Sequence, residues 1–380
     1  MHRFIPYILK TLWRHRARTL LTASGAAVAL FVFCIVQAVG NGVRDLNEHG
    51  AADRTLIVFQ ANRFCPFTSE LPADYERQIA KIPGVQNVIP IKVYTNNCRA
   101  SLDVVVFHGM PPEQLRTARK FEITAGSWDD FQRTSDGALV GQNVARRRGL
   151  SPGKPFSIGG VTVQIKGVFQ SPQSGDDDVI YTHLDFLQRM RGRESIGKVT
   201  QFEVQLSDAA DSTAVSQAID EQFRGGPVLT DTRTRGVFQA DSVADLAEMI
   251  GFAHWLGYAC VGLVLALVAT TTVMAVQDRG SEHALLQTLG FTTLGIFSLV
   301  VVESLILACV GGLFGVGAAN LALASHGFSL GAEAVTISFA PSLSLMLNGA
   351  LVSILVGILA GIVPGIQAAR AQILPALRQA

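Results

Sequence analysis

Few side chains in this 380-residue chain stand at spacings that chemistry uses. The run Asp176-Asp177-Asp178 offers oxygen ligands of the kind Ca²⁺ or Mg²⁺ takes, but it lacks the ligand spacing and glycine placement of a calcium loop. Its Ser/Gly/Pro-rich surroundings read as a solvated turn. His2, His15, His49, His108, His183, His254, His283 and His326 are scattered, with no pair at metal-ligand spacing. Gly149 to Lys154 (GLSPGK) has one residue too few between its glycines for a phosphate loop, and Pro155 stands where Ser or Thr is required. It reads as a turn. No catalytic set, metal or cofactor is expected, no nucleic-acid partner, and no ATPase within these residues.

The pattern that stands out is mechanical. Residues 277–312 place a short polar, helix-prone insert, Asp278 to Leu289, between two long apolar runs, and the insert closes on Leu289-Gly290. It is too short for a domain but long enough to lie across a membrane surface and be pushed, as a force-transmitting loop would be. Glu303 is the only acidic residue within a predicted span, where such residues are costly and often functional. Two readings stand: a structural Glu contacting hydroxyls such as Thr270, Thr271 or Thr272, which is favoured, or a place on a transport pathway.

The elements around these residues are set by apolarity. Charged residues make up 16% of the chain and the mean hydropathy is +0.33, outside the range of an ordinary soluble protein. About 20 apolar residues cross a bilayer. Four transmembrane helices are expected at 19–43, 249–277, 293–323 and 341–368. The first run is too long for a signal-peptide core, and Ala38-Val39-Gly40 is a mediocre cleavage site. Arg3, Lys10, Arg14, Arg16 and Arg18 precede the first span, Arg279 lies in the insert, and Arg370 and Arg378 follow the last span. Placing all of them inside satisfies the positive-inside rule, because the short loop 324–340 then falls outside and carries no Lys or Arg. Both termini are therefore expected in the cytoplasm, with a cytoplasmic insert at 278–292 and a cytoplasmic tail at 369–380. Residues 1–18 mix Phe4, Ile5, Ile8, Leu9, Leu12 and Trp13 with basic residues, a composition that suits an interfacial helix.

Segment 44–248, with its flanking residues from 41, is too long for a loop and must have its own core. Its 23 basic and 26 acidic residues nearly balance. Strands are expected at Arg54 to Gln60, Leu102 to His108, Ala138 to Val144, Phe156 to Ile158, Val161 to Phe169 and Val199 to Leu206, with a short one at Val228 to Leu229. Helices are expected at Pro72 to Ile82, Leu184 to Arg191 and Ala209 to Phe223, so the domain is mixed α+β. Gly159-Gly160 marks a hairpin turn. Cys34, Cys260 and Cys309 fall in predicted spans and behave as small apolar residues. Cys65 and Cys98 are the two cysteines of the outside domain. An oxidising compartment would favour a bridge between them, contributing about 3–4 kcal/mol.

The order of parts, one span, a large outside domain, then three spans with an insert after the second, resembles the MacB/FtsX/LolC type of ABC transporter permease. Arg279 to Gly290 (RGSEHALLQTLG) is similar to the family's R-x-x-E-x-[AG]-x-L-[RK]-A-[LI]-G pattern, followed by Glu303-Ser304 and a Gly-rich third span. Pro364 to Arg378 resembles its P-x-x-x-A-[AR]-x-x-x-P-x-x-A-L-R ending, and Arg16 to Gly25 its R-x-R-x-x-L-T-x-x-G entry to the first span. Ile82-Pro83-Gly84-Val85 and Gly160 to Phe169 resemble its periplasmic domain. Gln287 and Thr288 depart from the pattern, where a basic residue and Ala are usual.

The resemblance implies two permease copies, alike or related, working with a separate ABC ATPase subunit in a bacterial inner membrane. Arg279, Glu282, Leu285, Leu286, Leu289 and Gly290 would dock the ATPase, and helices 1 and 2 would carry the motion outward. The implied function is export or extraction of lipoprotein, lipid, peptide or hydrophobic drug, with a periplasmic adaptor and an outer-membrane duct as further partners. An FtsX-like transmitter that activates a cell-wall hydrolase is the alternative, although such chains usually carry a smaller outside domain.

Overall fold

The computed structural model describes residues 5–52, 54–63, 66–96, 104–172, 176–242, 244–326, 329–332, 335–339 and 341–370. They form two compact units. One holds residues 1–40, 249–325 and 341–380; the other holds 41–248 and 326–340.

The chain opens with α1 (Ile5–Arg14) and α2 (Arg16–Ala52). Then follow β1 (Thr55–Gln60), β2 (Leu71–Pro72), α3 (Tyr75–Ile79), β3 (Val85–Thr95), β4 (Val106–Met110) and α4 (Pro112–Ala118). Next are β5 (Glu122–Gly126), α5 (Trp128–Arg133), β6 (Gly137–Gly141), α6 (Gln142–Arg148), β7 (Pro155–Ile158) and β8 (Val161–Gln170). Beyond them lie β9 (Val179–His183), α7 (Leu184–Met190), β10 (Lys198–Val199), β11 (Gln201–Leu206), α8 (Ser212–Phe223), β12 (Thr230–Thr234) and α9 (Arg235–Ser242). The chain closes with α10 (Ala244–Asp278), α11 (Gly280–Thr288), α12 (Thr293–His326), the strands β13 (Ser329–Ala332) and β14 (Val335–Ser338), and α13 (Leu343–Ala369).

The α+β unit is built on a ten-stranded mixed sheet in the order β12-β1-β11-β3-β4-β9-β6-β8-β5, with β7 paired to β8. Its two parallel pairings are β4 with β9 and β6 with β8. Strand β1 (TLIVFQ) reads as a continuous apolar run because both of its faces are covered. Leu56 and Val58 join a core with Tyr75, Phe202, Ile219 and Phe223, while Ile57 and Phe59 meet Phe238 of α9. The Asp211 side chain accepts from the Thr213 amide at 3.0 Å to cap α8, whose Val215, Ile219 and Phe223 recur every four residues and are buried. Gly159 and Gly160 both hold positive φ (58° and 82°), the pair of values a two-residue hairpin turn between β7 and β8 requires.

Several expected boundaries move. Pro72 belongs to β2, paired with Lys198, and α3 is shorter than the amphipathic pattern of Pro72 to Ile82 implies. The strand expected through Val144 ends at Gly141, where α6 begins. The short strand expected at Val228 to Leu229 lies at Thr230–Thr234. The longest strand, β3, has no counterpart among the expected ones because Pro90 and Lys92 interrupt its apolar pattern. Pro90 is tolerated because β4 pairs only with Lys92–Thr95, which leaves the proline outside that ladder. The acidic triplet is not a solvated turn: Asp178 is fully buried against Arg147 at 2.9 Å and Asn143 at 3.1 Å. The loop expected at 324–340 contains the β13–β14 hairpin.

Among the described residues, four helices are long and apolar enough to cross a membrane: Arg16–Gly42, Gly251–Asp278, Thr293–Ser325 and Leu343–Ala369. Their close packing depends on small residues. A Cβ at Gly315 would strike the Ala27 carbonyl of α2, so α12 approaches α2 backbone to backbone. Ser353 of α13 donates to the Ala308 carbonyl of α12 at 2.7 Å, a hydrogen bond between helices buried from water.

Candidate functional site

The insert is the helix α11, nine residues long, separated from α10 by Arg279, whose φ of −111° and ψ of 21° interrupt the helix. Its end is closed by backbone hydrogen bonds, with the Thr288 hydroxyl donating to Leu285 O at 2.7 Å. The Gly290 amide donates to Gln287 O at 3.0 Å and the Phe291 amide to Leu286 O at 3.1 Å, the two bonds of a Schellman closure. That closure needs a left-handed residue, and Gly290 supplies it at φ 93°.

The faces of α11 differ. Ala284 is buried. Leu285 and Leu289, four residues apart, are 55% and 69% exposed, and Glu282 is exposed one turn before Leu285. Leu286 is half-buried and Gly290 exposed. Glu282, Leu285, Leu289 and Gly290 are thus exposed, and α11 presents a short apolar ridge with a carboxylate at its start.

Arg279 stands apart from them. The sequence pattern places it with the docking residues, but its side chain is buried at 5% exposure, folded back along α10. Its Nε donates to Ala275 O at 3.2 Å and its Nη2 to Glu303 Oε1 at 2.6 Å, with Glu303 itself 6% exposed. The threonines expected to meet Glu303 bond within their own helix instead, Thr270 to Ala266 O, Thr271 to Leu267 O and Thr272 to Val268 O. A guanidinium at the end of α10 outcompetes them because it offers a charge as well as a donor. Thr271 and Thr272 do line the same small cavity as the pair, together with Thr11, His15, Arg18 and Thr22.

Among the described residues, Arg14 pairs with Glu282 of α11 at 3.8 Å, and Arg18 pairs with Asp278 at the end of α10 at 2.9 Å. Both include an exposed partner, and pairs of that kind are worth about 0–1 kcal/mol. Removing one member of a buried pair such as Arg279–Glu303 costs about 3–5 kcal/mol, because the other charge is left without compensation. The buried contact therefore dominates the attachment.

The α+β unit holds a second charged cluster. Glu203 accepts from Arg119 through Oε1 at 2.7 Å and pairs with Arg235 through Oε2 at 2.7 Å, and Arg119 also donates to the Tyr181 hydroxyl at 3.2 Å. Burial alone would raise the Glu203 carboxyl, but the two guanidiniums bring it down to about 2. Burial, with Arg119 nearby, lowers His108 to about 4. Burial raises the Tyr181 hydroxyl and Asp176, and takes Asp177 up to about 6. Sequence reading misses this cluster for a physical reason: in β11 (QFEVQL), Glu203 alternates with Phe202 and Val204 and so resembles a residue on a solvent face. Among the described residues no group of three or more His, Cys, Asp or Glu could hold a metal ion. Cys65 and Cys98 lie outside the described residues.

With this geometry in hand, comparison with known proteins places the chain. Residues 19–222 match the model of the MacB-like periplasmic core domain, and residues 256–373 match that of the FtsX-like permease C-terminal region. The chain belongs to the MacB/FtsX/LolC type of ABC transporter permeases, and it is a multi-pass membrane protein. An ABC transporter permease of Methanocaldococcus jannaschii is 23% identical over 82% of this chain and 81% of its own length. The macrolide export ATP-binding/permease protein MacB of Nitrosomonas europaea is 20% identical over 83% of this chain, which spans only 51% of that relative. The periplasmic region of MacB from Actinobacillus actinomycetemcomitans aligns with 13% identity over 50% of this chain and 92% of its own, at a TM-score of 0.36.

Proposed function

We propose that this permease couples ATP hydrolysis by a separate ATPase subunit to movement of its MacB-like domain, driving export or extraction of an apolar or lipid-bearing cargo. Lipoprotein, lipid, peptide and hydrophobic drug are the cargo classes, and the macrolide named for the Nitrosomonas relative belongs to the last. The single observation that carries this reading is α11, a nine-residue helix between two spanning helices with Leu285 and Leu289 bared beside Glu282. An exposed apolar ridge of this kind is costly in water unless a partner covers it. Within these residues Gly149 to Lys154 forms the αL end of α6 and a turn into β7, so the ATP-binding part of the proposed assembly is placed outside them.

The working unit would be two permease copies and two ATPases in a bacterial inner membrane, with both termini in the cytoplasm as the distribution of Lys and Arg favours. A periplasmic adaptor and an outer-membrane duct are further partners of this assembly. The match to the MacB-like core domain over 19–222 does not favour the FtsX-like signalling alternative.

Affinity purification from native membranes in mild detergent, with mass spectrometry of what co-purifies, tests the assembly. An ATP-binding subunit is expected, and its absence would remove the central claim. Leu289→Asp and Glu282→Lys are expected to cut permease-stimulated ATP turnover at least tenfold with the permease still folded, since both side chains are exposed. Unchanged turnover in both variants would place the docking surface elsewhere.

A further inference from the structure

The two side chains of the buried pair reach each other because of how helices aim their side chains. A helical Cα–Cβ bond tilts toward the helix N-terminus. Arg279, just past the end of α10, therefore folds back along that helix, as its bond to Ala275 O records. Glu303, on antiparallel α12, tilts the opposite way and meets it at 2.6 Å. Arg279 is also the residue from which α11 starts. One guanidinium thus fixes the end of α10, the origin of α11 and a point ten residues into α12, all in a site nearly closed to water. The ion pair of α11 itself, Arg14–Glu282, and the neighbouring pair Arg18–Asp278 at the end of α10 include exposed partners and are free to open as the helix moves.

We propose that the Arg279–Glu303 pair is the joint through which displacement of α11 reaches the third spanning helix, and that Arg279 is a positioning residue rather than a docking one. It has this role only if α11 is the docking element. A pushed α11 pivots about its fixed first residue. Because the guanidinium is held on one side by Ala275 O and on the other by Glu303, the push is delivered to α10 and α12 together instead of bending the corner between α10 and α11.

The test compares Arg279→Gln, Glu303→Gln, the double variant and Arg279→Lys in complexes purified from native membranes. Each single neutral variant is expected to retain the co-purified ATPase while permease-stimulated ATP turnover falls at least tenfold. The double variant is expected to match either single one, since the two residues act as one unit, and Arg279→Lys is expected to recover at least part of the turnover. A residue that only docked the ATPase would lose the subunit itself. Turnover within twofold of the unaltered complex, or losses that multiply in the double variant, would overturn the joint.

A second measurement separates this inference from the assembly it serves. In the full-length permease alone, in nanodiscs, Glu303→Gln is expected to raise amide exchange across Gly280–Thr288 at least tenfold. If no ATPase co-purifies with the unaltered permease, the docking reading fails and this exchange still decides whether the joint exists; unchanged exchange overturns it. Where the neutral variants do not accumulate, Glu303→Asp, one methylene shorter, is expected to raise exchange in α11 and lower turnover at least threefold, and unaltered values of both would overturn the proposal.

Discussion

At the scale of single residues, this protein keeps charges out of water in both of its units, and the Glu203 cluster and the Arg279–Glu303 pair use them differently. Glu203 sits between Arg119 and Arg235 in the sheet, so truncating it leaves two guanidiniums facing each other. Glu203→Gln is expected to cost about 3–5 kcal/mol, read as faster amide exchange in β11 of the full-length protein. Acid gives a graded version of the same loss. Glu203 is held at about 2 against its ordinary 4.5, so its contribution is complete above pH 4.5 and is lost as the pH falls toward 2. His108, held neutral down to about pH 4 against an ordinary 6.5, adds a loss between pH 6.5 and 4, because the unfolded chain takes up that proton first. Asp177, raised to about 6, works in the other direction over pH 4 to 6. His108→Leu is therefore expected to flatten the decline in stability between pH 6.5 and 4, measured by exchange in β4 and β11; a decline as steep as in the unaltered protein would exclude His108 as its source. The role of Glu203 was not legible in the sequence, where one charge alternating with apolar residues marks a solvent face. Only the three-dimensional sheet brings Arg119, Tyr181 and Arg235 to Glu203.

At the scale of elements, legibility follows local pattern. The four spanning helices and α11 are readable because each depends on a run of its own composition. So are the β7–β8 hairpin, from Gly159-Gly160, and α8, from its four-residue apolar repeat. Strand β3 is hidden because Pro90 is permitted by the particular reach of β4, a fact of tertiary structure. The role of Arg279 is hidden for the same reason: a motif records that an arginine is there, and not which way it turns. Two element-level outcomes follow. Gly290→Ala forces a Cβ into the left-handed region and is expected to destabilise the end of α11 by about 1 kcal/mol, seen as faster exchange of the Gly290 and Phe291 segment without loss of the spanning helices. Gly315→Leu is expected to be far more damaging, because the Ala27 backbone blocks the new side chain, and to lower the yield of folded permease from membranes.

At the scale of the whole molecule, the family assignment rests on two domain matches that together cover most of the chain, and the order of parts carried that assignment in the sequence too. The bridge expected between Cys65 and Cys98 would join two positions 33 residues apart in the sequence: thiol labelling of the full-length protein is expected to rise on reduction, and equally complete labelling with and without reductant would show free thiols. The unequal burial of the three ion pairs around α11 has one more consequence, in ionic strength. Salt screens Arg14–Glu282 and Arg18–Asp278, whose partners reach water, but hardly touches Arg279–Glu303. Raising salt from about 0.01 M to about 1 M shortens the screening length from about 30 Å to about 3 Å. Over that range α1 should come loose from α11 at Arg14–Glu282, and α2 from the end of α10 at Arg18–Asp278, while Arg279 stays fastened to the third span, so a salt titration would release these attachments in order, the exposed ones first.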